Sequence, residues 1–134
     1  MRPRAQRTIK APIDFVGVGL HSGDQNKVTI LPAPADHGIV FCRVDLEGKP
    51  TIPAHISKLS AKERRTNLRE GEADVATVEH LLAALYALQI DNVTVEIDGE
   101  EMPGLDGSAL PFAEKLNEVG GVDQKVVRKH FVLD

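Results

Sequence analysis

The sequence predicts an α+β fold, a two-layer sandwich with two helices packed on one face of a mainly antiparallel sheet. Three observations lead there. Val93, Val95 and Ile97 alternate with Thr94, Glu96 and Asp98, the period-two pattern of a strand covered on one side. Val78, Leu81, Leu82, Leu85 and Leu88 recur at helical spacing, and Ala83, Ala84 and Ala87 raise the helix propensity of the same stretch. The first half of the chain is a series of short β-branched runs separated by Gly and Pro turn signals.

In chain order, residues 7–18 have extended character, broken by Pro12 and ending at the glycines of Gly17-Val18-Gly19. Val28 and Ile30 bracket Thr29 in a second run that Pro32 and Pro34 stop. Residues 39–44 form a β-branched and aromatic strand entered through Asp36-His37-Gly38, and 51–56 a weaker one interrupted by Pro53. Thr77 is the expected N-cap of the first helix, which makes Glu79 and His80 first-turn residues. After the 93–97 strand, a second helix is expected from Ser108 through Phe112, Leu116 and Val119 to Gly120-Gly121. Pro111 is tolerable there only because it falls in the first turn. Residues 126–133 read as extended. The length suits one domain over residues 1–125 with a tail over 126–134.

Composition narrows the function classes. Hydrophobic residues at 42% and charged residues at 27% exclude wholesale disorder. A net charge of −4 without a dominant basic stripe argues against nucleic acid as a partner, as does the absence of Trp. No apolar run approaches the ~20 residues of a transmembrane helix, and the basic N-terminus lacks the apolar core of a secretory signal. The single cysteine, Cys42, fits a reducing cytoplasm and reads as a buried small hydrophobe. Arg2, Arg4, Arg7 and Lys10 read as solvated surface. Lys62, Arg64 and Arg65 read the same way, although that cluster could attract an anionic ligand.

Four constellations could carry chemistry. Thr77-Val78-Glu79-His80 sets a carboxylate beside an imidazole at a helix start. Adjacent helical residues diverge by about 100°, but in the first turn both side chains can lean past the helix end. The positive end of the helix dipole favours the carboxylate and the neutral imidazole that a metal needs. The alternative is a solvated Glu and a capping-region His, because zinc normally takes three protein ligands and this stretch offers one. Gly17-Val18-Gly19-Leu20-His21-Ser22-Gly23 is not a phosphate-binding loop, since the Gly-Lys-Ser/Thr ending is missing; locally it reads as a hairpin connection with His21 at its tip. Met102-Pro103-Gly104-Leu105-Asp106-Gly107-Ser108 is a turn into a helix. Asp106 and Ser108 compete there for the cap, and an Asp106 that orients a catalytic side chain is the functional alternative. His130 and Asp134 mimic a helical metal pair, but in an extended strand they stand about 13 Å apart and are rejected. His37 and His55 fall in turn or edge contexts and read as structural or solvated.

Taken in order, these motifs resemble the first domain of the zinc-dependent UDP-3-O-acyl-N-acetylglucosamine deacetylases of lipid A biosynthesis. Gly17-Val18-Gly19-Leu20-His21-Ser22-Gly23, Thr77-Val78-Glu79-His80-Leu81, Ile90-Asp91-Asn92 and Leu105-Asp106-Gly107-Ser108 carry the resemblance, which runs over nearly the whole chain. It implies two domains, each packing a sheet on two helices, with the active site between them. It assigns His80 as a zinc ligand and Glu79 as the general base. It also places Leu20 and His21 near the substrate, Asp106 as a supporting polar residue and Thr66 as a possible substrate contact.

The family's other two zinc ligands come from a His-Lys-x-x-Asp pattern in a second domain, along with a catalytic histidine and an oxyanion-stabilising threonine. That pattern is absent here, so the tail resembles the start of an inter-domain connection. The leading expectation is an enzyme half with little or no activity alone, acting on a UDP-linked acylated glucosamine once joined to its second domain. The competing expectation is a stand-alone binding or interaction module that keeps the fold without the chemistry. A continuation past Asp134 that encodes His-Lys-x-x-Asp favours the first, and a stop there favours the second.

Overall fold

A computed structural model describes residues 4–54, 59–62 and 65–128. Twelve elements follow one another among them. They are β1 (Ala5–Ile9), β2 (Ile13–Val18), β3 (Gln25–Pro32), β4 (Ile39–Arg43), β5 (Thr51–Pro53), β6 (Leu59–Lys62), β7 (Arg65–Glu70), β8 (Ala73–Val75), α1 (Glu79–Ala87), β9 (Val93–Ile97), α2 (Leu110–Val119) and β10 (Gly121–Val127). The main sheet has five strands in the order β2-β3-β9-β4-β5. All its pairings are antiparallel except that of β4 with β9. The α+β sandwich with a mainly antiparallel sheet is therefore what the chain adopts.

The alternating strand is the centre of that sheet. Val93, Val95 and Ile97 are fully buried, while Thr94 and Glu96 on the other face keep partial exposure. Register aligns apolar residues across every strand: Ile13 faces Ile30, Ile30 faces Val95, Val95 faces Phe41 and Phe41 faces Ile52. All five belong to the buried core. A one-residue slip of any strand would turn its contribution out of this row, so the row fixes the register of the whole sheet.

Helix α1 contributes buried Leu81, Ala84 and Leu85, and α2 contributes Phe112 and Leu116. Phe112 meets Phe15 of β2 edge-on, with ring centroids 4.9 Å apart. Predicted core positions Val78, Leu81 and Leu85 are buried, and Leu82 and Leu88 pack against the same cluster. The second helix begins at Leu110 rather than Ser108. Its first turn holds Pro111, where the missing N–H is not needed.

Three features depart from the sequence pattern. Thr77 is not the N-cap of α1: Val78 takes that position, with no side-chain cap. Thr77 instead has φ +60°, and its hydroxyl is turned to Glu101. Nothing in the pattern predicts the three-stranded antiparallel sheet β6-β7-β8, because its residues are short, polar and charged, without a clear alternation. Arg4 and Arg7 are also not simply solvated surface. Arg4 makes a two-bonded pair with Asp91 (2.7 and 2.9 Å), and the Arg7 backbone N–H donates to the same carboxylate at 2.8 Å.

Those bonds belong to a second sheet, β1 paired antiparallel with β10, and Val126 and Val127 of the expected tail lie in its last strand. Asn92 ties this sheet to the main one. Its amide donates to Gln6 (2.9 Å) and Gln124 (2.7 Å), and its oxygen accepts from the Gly38 N–H (2.8 Å). Satisfied buried amides of this kind fix one arrangement, since breaking any of them strands a polar group away from water. Cys42 is buried, as expected, and burial pushes its thiol up. His37 is exposed and shares a 3.0 Å hydrogen bond with Thr94, while His55, His130 and Asp134 lie outside the described residues.

Phe112→Ala should cost about 3–5 kcal/mol, the range for truncating a buried aromatic. Urea unfolding measures it, and a loss under about 1 kcal/mol would show that α2 is not part of the cooperative core.

Candidate functional site

Strand β2 ends in the glycine motif, and the chain turns back through Gly23, whose φ of +74° only glycine adopts freely, into β3. Residues 19–24 are thus a hairpin connection, with Leu20 and His21 exposed near its tip. The two remaining segments of interest meet this hairpin. Met102 donates its N–H to the Ala76 carbonyl (3.0 Å), and Gly104 donates its own to the Val18 carbonyl (2.9 Å). The Met102–Ser108 turn is therefore laced to the start of α1 on one side and to the hairpin on the other.

The glycines record how close this approach is. A Cβ on Gly104 would stand 2.3 Å from Leu20 Cγ, so the Leu20 side chain lies directly on that backbone. A Cβ on Gly19 would stand 2.3 Å from Glu101 Oε1, and one on Gly17 would touch Pro103. Within the glycine run, Gly17 and Gly19 thus lie close against other groups, while Gly23 serves the turn and has nothing within 4 Å of a Cβ.

Glu101 is the centre of the arrangement and the residue that sequence reasoning missed. It is 1% exposed. Its Oε1 accepts N–H bonds from Ser22 (2.7 Å) and His21 (3.1 Å), and its Oε2 accepts the Thr77 hydroxyl at 2.6 Å. Its carbonyl accepts from the Asn26 side chain at 2.7 Å. Burial works to raise the Glu101 carboxyl, but the bonds from Thr77, Ser22 and His21 outweigh it and hold the group below the usual carboxylate range. Nothing in Gly99-Glu100-Glu101 marks the third residue as buried; its neighbour Glu100 is an identical side chain left exposed.

Glu79 and His80 occupy the first turn of α1 and are half-buried. The backbone that delivers them is strained. A β-branched residue in the left-handed region, as Thr77 is, costs on the order of 1–3 kcal/mol and persists only where its surroundings hold it. Glu101 holds its hydroxyl, and Asn67 accepts its N–H at 3.3 Å. Leu105 repeats the device at φ +52°, one residue before Asp106.

Asp106 is exposed, and its Oδ1 accepts both the hydroxyl (2.7 Å) and the N–H (2.9 Å) of Ser108. Those bonds hold its carboxyl below the usual range, with a smaller contribution from the charge of His80. Neither Asp106 nor Ser108 is the N-cap of α2, which is Ala109, although Ser108 Oγ accepts the Leu110 N–H at 3.2 Å. Thr66 falls in β7, and its side chain lies outside what is described. The structure thus joins the segments that carry these residues: Glu101 bonds the hairpin at His21 and Ser22 and the start of α1 at Thr77, and Leu20 lies on Gly104 of the turn that leads to Asp106.

Among the described residues, no three His, Cys, Asp or Glu side chains come together as a metal site. One imidazole with an adjacent carboxylate does not fit a zinc ion by itself. What the geometry defines is an α+β domain that presents a Glu-His pair at a helix start, beside a glycine hairpin and an aspartate turn.

The chain matches the family model for UDP-3-O-acyl N-acetylglycosamine deacetylase over residues 6–134. It is 48% identical over 128 residues to a UDP-3-O-acyl-N-acetylglucosamine deacetylase of Thermosynechococcus vestitus, covering 96% of this chain and 45% of that protein. It is 50% identical over 121 residues to the protein of the same description from Trichormus variabilis, covering 90% of this chain and 43% of that one. Against the bifunctional enzyme LpxC/FabZ of Porphyromonas gingivalis it is 42% identical over 128 residues, covering 96% of this chain and 28% of the relative. The chain belongs to the UDP-3-O-acyl N-acetylglycosamine deacetylase family. It spans less than half the length of these curated relatives. No helix among the described residues is long and apolar enough to cross a membrane.

Because the folded state depresses the Glu101 pKa, its contribution to stability is complete above the unfolded value of about 4.3 and is lost as pH falls through the lower folded value. Urea midpoints of the parent and Glu101→Gln should differ most near neutrality, about pH 7, and converge on acidification below about pH 4. A gap that stays constant down to ~pH 3 would show that the carboxylate form adds nothing.

Proposed function

We propose that the chain forms the first domain of a zinc-dependent deacetylase that hydrolyses the N-acetyl group of UDP-3-O-acyl-N-acetylglucosamine in lipid A biosynthesis. The observation that carries this reading is the convergence of two family motifs, far apart in sequence, on the buried Glu101 carboxylate, with the aspartate turn bonded to the same two segments through Gly104 and Met102. A solvated Glu and a capping His would need no such convergence.

In this reading His80 is one zinc ligand of three, and the remaining length of the protein supplies the other two from a His-Lys-x-x-Asp pattern. When bound, zinc would polarise the acetamide carbonyl and the attacking water. Glu79, in the first turn of the same helix, would take a proton from the attacking water. Both residues sit in the first turn of α1, at the positive end of its dipole. Leu20 and His21, exposed on the hairpin, meet the substrate, and Thr66 is a further candidate contact. Asp106, held by the hydroxyl and N–H of Ser108, acts as a supporting polar residue. With its ligand set incomplete, the chain alone binds zinc weakly and turns over little or nothing. The reading places the protein in the cytoplasm, in line with its single cysteine.

In the complete two-domain protein, Glu79→Ala should lower turnover by about a hundredfold or more while bound zinc stays near parent levels. Loss of zinc or of fold in that variant would remove Glu79 from the role of base. Zinc titration of this chain, with and without the second domain, tests the ligand count. Tight binding and strong turnover by the chain alone would refute the shared site.

A further inference from the structure

We propose that Glu101 is a positioning residue that holds the hairpin carrying Leu20 and His21 in register with the helix start carrying Glu79 and His80. Its kinetic consequence rests on the deacetylase reading; its geometry does not. One carboxylate joins two elements that share no strand pairing. Oε1 takes the successive N–H groups of His21 and Ser22, while Oε2 takes the hydroxyl of Thr77, three residues before His80. A short parallel bridge between Ala76 and Glu101 brings Thr77 within reach.

Three further features point to a device for placement rather than for general stability. A carboxylate at 1% exposure is a poor way to fill a core, since an apolar side chain would do so without losing hydration. The strained backbone of Thr77 is held by the same carboxylate, and that strain sits directly before the functional pair. Gly19 leaves room for Oε1, where any Cβ would displace it. The carboxylate therefore sets the distance between two surfaces that must meet one substrate, and a shift of about an ångström there is enough to cost rate.

The test uses the complete protein with Thr77→Ala, which removes the donor, and Thr77→Ser, which keeps it. Acetate release from UDP-3-O-acyl-N-acetylglucosamine, zinc content, melting temperature and amide hydrogen exchange at residues 19–23 are read for each. The expected result is a fall in kcat per folded molecule of about tenfold or more for Thr77→Ala, with zinc retained. Exchange at His21 and Ser22 should be faster in that variant, and Thr77→Ser should recover most of both effects. A merely structural role would lower the melting temperature and leave kcat per folded molecule unchanged, which would overturn the proposal, as would equal losses in the two variants. If the parent releases no acetate, the functional reading fails. Exchange then decides alone: unchanged rates in Thr77→Ala overturn the proposal, and faster ones restored by serine support it. If Thr77→Ala does not fold, Gly19→Ala pushes on the same carboxylate from the hairpin side with every hydrogen-bonding group retained. An unchanged kcat/KM and unchanged exchange in that variant would also overturn the proposal.

Discussion

The row Ile13–Ile30–Val95–Phe41–Ile52 is the constraint on which the rest of this molecule depends. It crosses all five strands of the main sheet, and each member is buried against the helical layer. Because side chains alternate along a strand, this row permits one register and one covered face. Once β9 is locked between β3 and β4, the chain leaving it must pass through residues 98–107, where Glu101 and the aspartate turn lie. The site is built at the end of the sheet because the core leaves those connections nowhere else to go.

At that end, polar groups take over from packing. Main-chain bonds from Gly104 to Val18 and from Met102 to Ala76 lace three connections together, and the Glu101 carboxylate completes them. Buried charge is expensive unless fully paired, which explains why so many donors converge on it and why its ionised form prevails in the folded protein. The cost is spent beside Glu79 and His80, where strained residues also gather. Concentrating charge and strain next to one exposed surface is how a fold trades stability for fixed functional geometry.

Legibility followed periodicity. The 93–97 strand and the amphipathic helix after Thr77 were readable because their patterns are long and regular, and the structure places both as expected. The β6-β7-β8 sheet was not, since Leu59-Ser60-Ala61-Lys62 and Arg65-Thr66-Asn67-Leu68 carry no alternation to read. Thr77 misled for a specific reason: its residue type and position fit an N-cap, but Glu101, 24 positions away in sequence, offered its hydroxyl a better acceptor. Arg4 misled in the same way, because Asp91 reaches it from 87 residues away. Of the candidate site, His80, Glu79, Leu20, His21 and Asp106 could be named from motifs, while Glu101 could not.

Local order thus settled the chemistry types available here: an imidazole and a carboxylate at a helix start, a glycine hairpin and an aspartate turn. Periods of two and 3.6 residues settled which elements form around them, because burial of one face acts on neighbours along the chain. Tertiary structure alone decided that the hairpin and the helix start share one carboxylate and which of two adjacent glutamates supplies it. That choice depends on a pocket of donors contributed by the β2–β3 connection, β3 and the residue leading into α1, and no segment by itself contains enough of that pocket to reveal it.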